Sequence, residues 1–535
     1  MSSGDEEKSS KTPRTGITHC SFVIPYSFTQ YSFPMNRRNF LKSTLATTAA
    51  LSLPARIRAQ APGANDDIRV AVIGFNGRGG DHIGNYLKAK GVRLVALCDV
   101  DANVLEKGKA QLAAKSVDVT TYQDIRKLLE SKEVDAISIA TPNHWHSLAA
   151  IWGCQAGKDV YVEKPVSHNV WEGRQLVKAA DVHNRIVQMG VQSRSGVGLA
   201  NAMEWLKSAP LGKVKYVRAL CYKRRASIGK AGGETPWPAD INKDLWIGPA
   251  EMKPLMRAKL HYDWHWVWNT GNGDLGNQGI HQMDIARRFL GEDALSPAVW
   301  AVGGRLGYVD DGETPNSLIV FHDYKAAPLI FEVRGLPEKT GAKEMDRYRT
   351  SPGVGVLAQY ENGCVVCPDY NNAAVYNAKD ELLRTFGNPS VPKDVAKAAE
   401  FEAVPSGGGA DSENHYANFI KAVRSRKVAD LHGKIIDGHI SSALCHTGNI
   451  SYRIGKQTAP DAIREKLKGS ADAMDSFDRL ASHLADNGVD ITMDKLALGE
   501  FLKMDPKTEK FIGNAAADKL LTREYRAPYI VPEKV

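Results

Sequence analysis

The segment from residue 271 to residue 291 brings together side chains that bind and exchange protons. Its polar residues recur at i, i+3, i+7 and i+10, which places them on one face of a helix: Asp274, Asn277, His281 and Asp284. Gly276 and Gly279 lie in the same turns, although a helical glycine costs about 1 kcal/mol relative to alanine. We therefore expect a ligand or a strand to approach this face closely.

A glycine-rich turn, AVIGFNGRGG, follows the first predicted strand. Such a turn brings backbone close to a pyrophosphate at a helix N-terminus. Gly74 and Gly79 match the first and third glycines of the dinucleotide fingerprint, and Asn76 stands at the second. Asp99 ends the next strand 25 residues after Gly74, where a carboxylate accepts from ribose hydroxyls and repels a 2′-phosphate. NAD is thus favoured over NADP, and the predicted contacts in the turn are Gly74, Asn76, Gly77, Arg78 and Gly79.

The loop ATPNHWHS follows another predicted strand, so it should reach the same binding crevice. Its cofactor contacts are predicted to be Thr141, Pro142, Asn143 and His146. Substrate contacts or helix capping are the alternatives for these side chains. The pair His144 and His146 lacks an adjacent third ligand, so no metal site is expected here.

The stretch YVEKP ends a further strand in Glu163 and Lys164. A surface ion pair at a strand end is the ordinary interpretation. At the carboxyl edge of the sheet, however, a desolvated lysine titrates low enough to help move a proton. We assign Glu163 to the cofactor site, and Lys164 to both cofactor binding and proton transfer.

An aromatic cluster precedes the polar helix in HYDWHWVWNTGNG. Aromatic faces stack on the apolar C–H faces of sugars, so we predict substrate contacts from Trp264, His265 and Trp268. A buried strand face with period-two spacing is an equally good interpretation. Gln192 and Arg194 are further candidates for substrate binding.

The elements that must position these residues alternate strand and helix from Ile68 to about Gly190. This pattern predicts an α/β fold with a doubly wound parallel sheet over 66–190. Over 191–460 several strands lack intervening helices, which predicts an α/β domain with an open, mainly antiparallel or mixed sheet. Residues 335–410 are expected to be loop-like, and 461–535 to form a C-terminal extension without an assigned task.

The formal net charge of +8 is concentrated at the N-terminus, because residues 1–61 carry a net charge of +5. The remaining +3 is spread among both signs, so nucleic acid is not an expected partner. No run of eighteen apolar residues occurs, so membrane insertion is not expected either. Of the seven cysteines, Cys364 and Cys367 form a lone C-x-x-C that we interpret as core, and no metal site is predicted.

The first 61 residues are interpreted as a leader. From Met35 the chain carries the twin arginines Arg37 and Arg38, an Ala/Thr/Leu run and a small-x-small site ending at Ala61. This resembles a twin-arginine export (Tat) signal over 35–61, with cleavage after Ala61 and residues 1–34 as an over-extended start. The Tat machinery is then a partner and the periplasm the destination, with any nucleotide cofactor loaded before export.

Taken together, the glycine turn, Asp99, TPN-H, EKP and G-x-H-x-x-D resemble the Gfo/Idh/MocA family of glucose–fructose oxidoreductase and inositol dehydrogenase. The resemblance implies a Rossmann domain, NAD, a carbohydrate substrate and a dimer or tetramer formed through the open sheet. It also implies that Lys164 and His281 are the catalytic pair. The family's usual aspartate four residues before this histidine is Asn277 here, so Asp274 and Asp284 are candidates to replace it.

The predicted function is an NAD-dependent oxidoreductase acting on a hydroxyl of a sugar, cyclitol or glycoside. Because the periplasm supplies no free NAD, a redox-neutral glycoside hydrolase is the alternative: oxidation, elimination, hydration and reduction within one turnover. A non-catalytic protein that binds a nucleotide or a sugar is a second alternative, and Asn277 is its main support.

Overall fold

The computed structural model describes residues 67–208, 210–389, 402–404, 414–492 and 496–535, with backbone alone for 402–404. The predicted leader, including the Tat signal, lies outside these residues. Residues Asn65–Val535 fold as one compact unit.

A six-stranded parallel sheet forms the first layer, and this confirms the doubly wound prediction. The strand order is β3-β2-β1-β4-β5-β6, so the direction of winding reverses between β1 and β4. Ligands bind at this switch point in such sheets. The strands are β1 Ile68–Ile73, β2 Val92–Cys98, β3 Thr120–Tyr122, β4 Ala136–Ile139, β5 Asp159–Glu163 and β6 Val187–Gly190.

Helices on both faces connect these strands: α1 Gly79–Tyr86, α2 Ala102–Ala113, α3 Ile125–Leu129, α4 Asn143–Gln155 and α5 Val170–Val182. Short polar residues begin several of them, as helix capping requires. Asp101 accepts from two amides at the start of α2, and Asn169 accepts from the amide of Glu172 in α5.

A second, 13-stranded sheet carries the rest of the fold, and it is mixed as predicted. Most pairs are antiparallel, but β7 pairs with β10 in parallel and β14 with β15. Its strands are β7 Val214–Tyr222, β8 Ala298–Gly304, β9 Ser317–His322, β10 Leu329–Arg334, β11 Val354–Tyr360, β12 Gly363–Cys367, β13 Ala373–Asn377, β14 Leu382–Phe386, β15 Glu402–Val404, β16 Lys456–Thr458, β17 Leu496–Leu498, β18 Leu502–Asp505 and β19 Lys510–Phe511.

The loop-like interpretation of residues 335–410 is wrong for much of that region. Strands β11 to β14 lie there as successive antiparallel neighbours. Their residues are mostly buried on both faces. A strand covered on both sides shows no alternation of polar and apolar residues, and for that reason the period-two signal was missing.

The polar helix over 271–291 is present as two consecutive helices, α8 Gly273–Asn277 and α9 Gly279–Leu290. Gln278 between them keeps helical dihedrals, and the amide of His281 bonds to its carbonyl at 3.2 Å. A Cβ on Gly279 would lie 2.7 Å from the Phe331 ring of β10. The expected close approach is therefore a side chain from a strand.

The remaining helices surround the second sheet and return to the first: α6 Val197–Leu206, α7 Lys243–Ile247, α10 His415–Ser425, α11 Ile435–Arg453, α12 Pro460–Leu467, α13 Ala471–Asp486 and α14 Ala515–Lys519. Apolar residues of α12 and α13 pack on β8, β9 and β10. Over the described residues, no helix is both long and apolar enough to cross a membrane.

Candidate functional site

A cavity of about 450 Å³ lies at the carboxyl edge of the first sheet. The segments that follow five of its strands, β1 to β5, line this cavity, as expected for a doubly wound sheet. Helix α7, residues 261–265 and Asn277 close it from the side of the second sheet. The lining includes most of the residues predicted to bind the cofactor: Gly74, Asn76, Gly77, Arg78, Asp99, Thr141, Pro142, Asn143, His146, Glu163 and Lys164.

The glycine turn has the geometry that a pyrophosphate needs. Gly74 adopts φ +75°, a conformation that favours glycine. A Cβ on Gly79 would lie 2.1 Å from the Gly74 carbonyl oxygen, so only glycine fits there. Gly77 has open space around its α-carbon. The turn therefore fits a dinucleotide, with Asn76 tolerated at the second glycine position.

Asp99 lies on the cavity wall, where the ribose was predicted. Its carboxylate accepts from the amide of Phe75 at 3.0 Å and from the amide of Asp101 at 3.1 Å. Burial raises its pKa above the ordinary value for aspartate. These two bonds hold the carboxylate oxygens in place, which suits a group that must meet a pair of hydroxyls.

The loop after β4 is tied to the loop after β5 through His146. The ring nitrogens of His146 lie 2.6 Å from the Pro165 carbonyl oxygen and 2.7 Å from that of Thr141. Asn143 donates to the side chain of Asn272 at 3.2 Å. Helix α4 has no side-chain hydrogen bond at its N-cap, so the capping alternative is wrong. Thr141 keeps a buried hydroxyl without a partner among the described residues.

Glu163 is 3% exposed and is surrounded by donors. Its Oε1 lies 3.1 Å from Arg78 Nε, 3.2 Å from His82 Nε2 and 3.1 Å from Gln192 Nε2. Although burial alone would raise its pKa, His82 and Arg78 hold the pKa of Glu163 well below its usual range. Glu163 is therefore ionised, and its Oε2 accepts from the backbone amide of Lys164 at 3.2 Å.

Lys164 carries its ammonium group to the cavity side of α8. Its Nζ donates to the carbonyl oxygen of Asn277 at 2.8 Å. Desolvation lowers the pKa of Lys164, and Glu163 opposes that effect. The positive charges of Arg78, Lys223 and Arg225 lower it further. A lysine in this environment can give up a proton more readily than one in water.

His281 is buried on α9 and packs on the ring of Tyr370 with 4.5 Å between centroids. Burial and the charge of Lys164 lower its pKa to about 3, so its ring is neutral near pH 7. Its Nδ1 is buried and has no hydrogen-bond partner among the described residues. Tyr370 is itself fixed, because Gln278 donates to its hydroxyl at 2.7 Å.

The two carboxylates predicted to replace the family's aspartate, Asp274 and Asp284, each form an ion pair with an arginine. Asp274 accepts two bonds from Arg225, the shorter at 2.6 Å. Asp284 pairs with Arg194 at 2.9 Å and accepts from Ser441 at 2.8 Å. Neither carboxylate lines the cavity. Asn277 and Lys164 lie together at its edge, whereas Asp274 and Asp284 neutralise arginines.

The residues predicted to bind substrate divide into two groups. Trp264 and His265 line the cavity and stack at 3.6 Å between centroids. Trp268 lies elsewhere, with the Arg453 guanidinium 5.0 Å from its ring. Gln192 and Arg194 do not line the cavity, since Gln192 bonds to Glu163 and Arg194 to Asp284.

The local structure of the aromatic cluster differs from the strand alternative. Residues Asp263–Trp266 form a 3₁₀ turn, and among the three tryptophans only Trp266 is buried. Tyr262 precedes the turn at φ +67° and also lines the cavity. Its hydroxyl accepts from Arg225 at 2.7 Å.

Several residues of the site had no signal in local spacing. His82 lies beside Glu163, Arg225 bonds to Asp274 and Tyr370 packs on His281, each from a distant part of the chain. Trp145, Leu245 and Trp246 complete the cavity wall. None of these residues interrupts the polar–apolar pattern around it, so the sequence alone does not identify them as part of the site.

Cys364 and Cys367 are buried, unpaired thiols on β12, and burial raises the pKa of both. This agrees with the core interpretation. Within the described ranges, no group of three His, Cys, Asp or Glu side chains is arranged to hold a metal.

Comparison with known proteins agrees with this geometry. Residues 68–191 match the Gfo/Idh/MocA oxidoreductase family, NAD-binding Rossmann fold, and residues 216–311 match its C-terminal α/β domain. Residues 34–54 match the twin-arginine translocation signal.

Curated relatives include a glycosyl hydrolase family 109 protein 2 of Shewanella sp. (strain ANA-3), 31% identical over 311 residues that cover 50% of this chain and 67% of the relative. A glycosyl hydrolase family 109 protein of Shewanella baltica (strain OS185) is 33% identical over 40% of this chain and 54% of its own length.

Among solved structures, the WlbA dehydrogenase of Bordetella pertussis, in complex with NADH and UDP-GlcNAcA, has a TM-score of 0.50 at 19% identity. The superposition covers 72% of this chain and 94% of the WlbA chain. An oxidoreductase domain protein of Kribbella flavida has a TM-score of 0.50 at 20% identity, over 71% and 96%. These likenesses show the shared fold. The chain belongs to the Gfo/Idh/MocA family of NAD-binding oxidoreductases and carries a Tat export signal.

Proposed function

We propose that this protein cleaves a glycoside with a retained NAD that ends each turnover in the oxidation state in which it began. The substrate is a carbohydrate whose ring hydroxyl is oxidised transiently. The observation that carries the oxidation step of this proposal is the position of Lys164, a lysine of lowered pKa on the wall of the cavity that the glycine turn and Asp99 also line.

The residues present fit NAD. The space at Gly77, the glycine-only position Gly79 and the fixed carboxylate of Asp99 support binding of pyrophosphate and ribose. When bound, NAD supplies a group that accepts a hydride and can return it. NADP is disfavoured because the Asp99 carboxylate would repel a 2′-phosphate.

Lys164 and His281 are proposed to handle the protons. Lys164 takes the proton from the reacting hydroxyl and gives it back in the reverse step, for which a lowered pKa is suited. His281 is neutral, so its unpartnered Nδ1 can accept a proton from a carbon made acidic by a neighbouring carbonyl. Glu163, whose Oε2 accepts from the Lys164 amide, keeps a negative charge beside Lys164.

The aromatic wall supports a carbohydrate as the substrate. Trp264, stacked on His265, and Tyr262 present flat apolar faces at the cavity. Such faces suit the C–H side of a pyranose, and the polar residues of the same lining, Lys164 and Asn277 among them, suit its hydroxyls. The names of the curated relatives as glycosyl hydrolases favour a glycoside over a free sugar.

Export supports the redox-neutral form of the reaction. We propose that the Tat signal sends the folded protein to the periplasm and is removed after Ala61. Because no free NAD is supplied there, a net dehydrogenase would stop after one turnover unless a second substrate reoxidised it. A cofactor recycled within each turnover avoids this limit.

A net oxidoreductase acting on a free sugar or cyclitol is the second candidate, favoured by the oxidoreductase description of both matched domains. The catalytic role proposed for Lys164 is the same in both schemes. The two schemes differ in the fate of the glycosidic bond and of the reduced cofactor.

The test uses protein beginning at Pro62, purified with its nucleotide. Aryl glycosides, free sugars and cyclitols are added while aglycone release and the absorbance of reduced nicotinamide are followed. Sustained aglycone release without lasting reduction supports the glycosidase. A stoichiometric rise in absorbance with a free sugar supports the dehydrogenase instead. If no compound gives either signal, and Lys164→Met retains the nucleotide as the unsubstituted protein does, the protein acts by binding alone.

A further inference from the structure

The wall of the dinucleotide cavity is braced from outside by the end of the chain. Residues 240–247, here called the roof, contain α7 and contribute Leu245 and Trp246 to the lining. Residues 521–535, here called the strap, contact the roof, α4 and α5 from the side away from the cavity. We propose that the strap holds the roof closed over bound NAD and so keeps the cofactor from leaving.

The roof lies over the end of the cavity where Asp99 stands. The amide of Ala102 donates to the Asp240 carbonyl at 2.9 Å, and the amide of Asn242 donates to the Val100 carbonyl at 3.2 Å. These bonds attach the roof to the residues that directly follow β2. The roof therefore covers a nucleotide bound at Asp99 on this side of the cavity.

Trp145 connects the cavity lining to the strap. Its indole N–H donates to the carbonyls of Leu245 and Trp246 at 3.0 and 3.1 Å, and its ring lines the cavity. The same ring meets the Tyr529 ring edge-to-face at 5.5 Å between centroids. A Cβ on Gly248 would lie 2.3 Å from the indole, so the roof packs tightly on it.

The Asp244 carboxylate of the roof is bonded to two side chains of the strap. Asp244 Oδ1 accepts from Arg526 and Asp244 Oδ2 accepts from the Tyr529 hydroxyl, each at 2.5 Å. Arg526 also donates to the Asp244 backbone carbonyl at 2.9 Å. Tyr529 is fully buried. Asp244 does not line the cavity, so these contacts act on the roof and not on the ligand.

Further contacts attach the strap to helix α5 of the Rossmann layer and to the segment before α8. Gln175 of α5 donates to the carbonyls of Pro532 and Glu533 at 2.6 and 2.8 Å. Arg523 donates to the Asn269 carbonyl at 2.9 Å. The strap is thus bonded to the rest of the protein both before and after the residues that contact Asp244. These bonds keep the strap in place where it contacts the roof.

Arg526 and Tyr529 are accordingly positioning residues for the cofactor site. If the bonds from Arg526 and Tyr529 to Asp244 are removed, every residue that lines the cavity stays the same, but the roof opens more often. Because a ligand leaves only when its enclosure opens, the dissociation rate of NAD rises in proportion to the open fraction.

The test measures NAD dissociation from the full chain by exchange against labelled NAD, with no carbohydrate present. The double variant Arg526→Gln/Tyr529→Phe is expected to release NAD at least tenfold faster. Arg464→Gln, which removes a partly exposed arginine paired with Asp461 and Asp478 on α12 and α13, is the matched control and should leave the rate unchanged.

An unchanged rate in the double variant overturns the inference, and so does an equal rise in the control. If the double variant fails to fold, Tyr529→Phe alone decides, because it keeps the ring beside Trp145 and removes only the hydroxyl. Its expected rise is about threefold, with no change in the thermal midpoint of the nucleotide-free protein beyond that of the control. The inference rests on the retained cofactor of the proposed function, but the assay contains no substrate. Absence of glycoside cleavage therefore contradicts the proposed function alone.

Discussion

At each end of strand β5 a lysine stands next to a buried carboxylate, in the order Lys158-Asp159 at the amino end and Glu163-Lys164 at the carboxyl end. The composition of the two pairs is nearly the same. Their surroundings differ, because the carboxyl end faces the cavity and the amino end faces neighbouring protein.

At the amino end of β5, both Lys158 and Asp159 are bonded to other groups of the protein. Lys158 donates to the carbonyls of Ser131 and Val134, both at 2.7 Å. Asp159 accepts from the Ile186 amide at 2.8 Å and pairs with Arg426. Both charged side chains at this end are bonded to groups of the protein itself, so the pair connects strands and helices.

The carboxyl end leaves the lysine incompletely compensated. Glu163 is occupied by Arg78, His82 and Gln192, so Lys164 keeps one backbone carbonyl as its acceptor among the described residues. The two ends therefore differ in how many partners the lysine has: two carbonyl oxygens at the amino end, and one at the carboxyl end among the described residues. Burial of charge by itself does not separate the two ends, since desolvation lowers the pKa of both lysines.

The largest contrast is expected from removing each lysine. Lys164→Met should lower kcat by about 10³, the scale of a lost proton-transfer group, while NAD stays bound. Lys158→Met keeps a side chain of similar length at the amino end and should leave kcat within twofold. Steady-state kinetics on equal amounts of folded protein measure both. Equal losses in the two variants would mean that the ends do not differ in function.

Removing each carboxylate should affect stability at both ends but proton transfer at one. Glu163→Gln is expected to lower the free energy of unfolding by about 3 kcal/mol, because it leaves buried positive charge without its partner. Asp159→Asn should cost about 2 kcal/mol, since Arg426 is partly exposed. Urea unfolding measures both losses.

The same pair of variants separates the two ends by pH. Glu163 raises the pKa of Lys164, so Glu163→Gln should move the limb of the kcat/KM profile that reports Lys164 to lower pH. Asp159→Asn should leave that limb in place. A limb that moves in both variants, or in neither, contradicts the assignment of the limb to Lys164.

The histidines extend the comparison to acid stability. Burial lowers the pKa of His281 and of His322 to about 3, against 6.5 for the free side chain. Between pH 3 and 6.5 the unfolded chain then binds more protons, so the free energy of unfolding falls as pH falls through this window. Each histidine accounts for about 2 kcal/mol of the loss from pH 7 to pH 5.

His281→Gln and His322→Gln should each remove that share of the acid dependence, as measured by urea unfolding at the two pH values. Only His281→Gln should also lower kcat, by about 10². Neither histidine ring lines the cavity, but His281 lies one helical turn beyond Asn277, which does, whereas His322 lies on β9. A comparable loss of kcat in His322→Gln would show that the histidine effect on turnover is a stability effect.

The smallest effect is expected from Asn277→Asp, which restores the aspartate usual in the family. A carboxylate at the edge of the cavity beside Lys164 favours the charged lysine, so the limb that reports Lys164 should move to higher pH by about one unit. The direction is opposite to that expected for Glu163→Gln. A pH profile that matches the unsubstituted protein would mean that Asn277 faces away from Lys164 in the working enzyme.

The sequence predicted the first sheet and its crevice well because their signals are local. The turn at Gly74, Asp99 at a strand end and Lys164 at another each stand at a position that chain order assigns to the carboxyl edge. The second sheet was predicted only in part. Strands β11 to β13 are largely covered on both faces and lack the alternation by which a strand is recognised.

The sequence by itself determined which residue types could meet at the crevice, because the order of strands in a parallel sheet fixes which loops share an edge. Only the tertiary structure decided which of them are free to act. Asp274 and Asp284 looked equivalent to His281 on the polar face, yet Arg225 and Arg194, distant in sequence, neutralise them. Availability of a charged group depends on the partners that folding brings to it, and no local spacing encodes those partners.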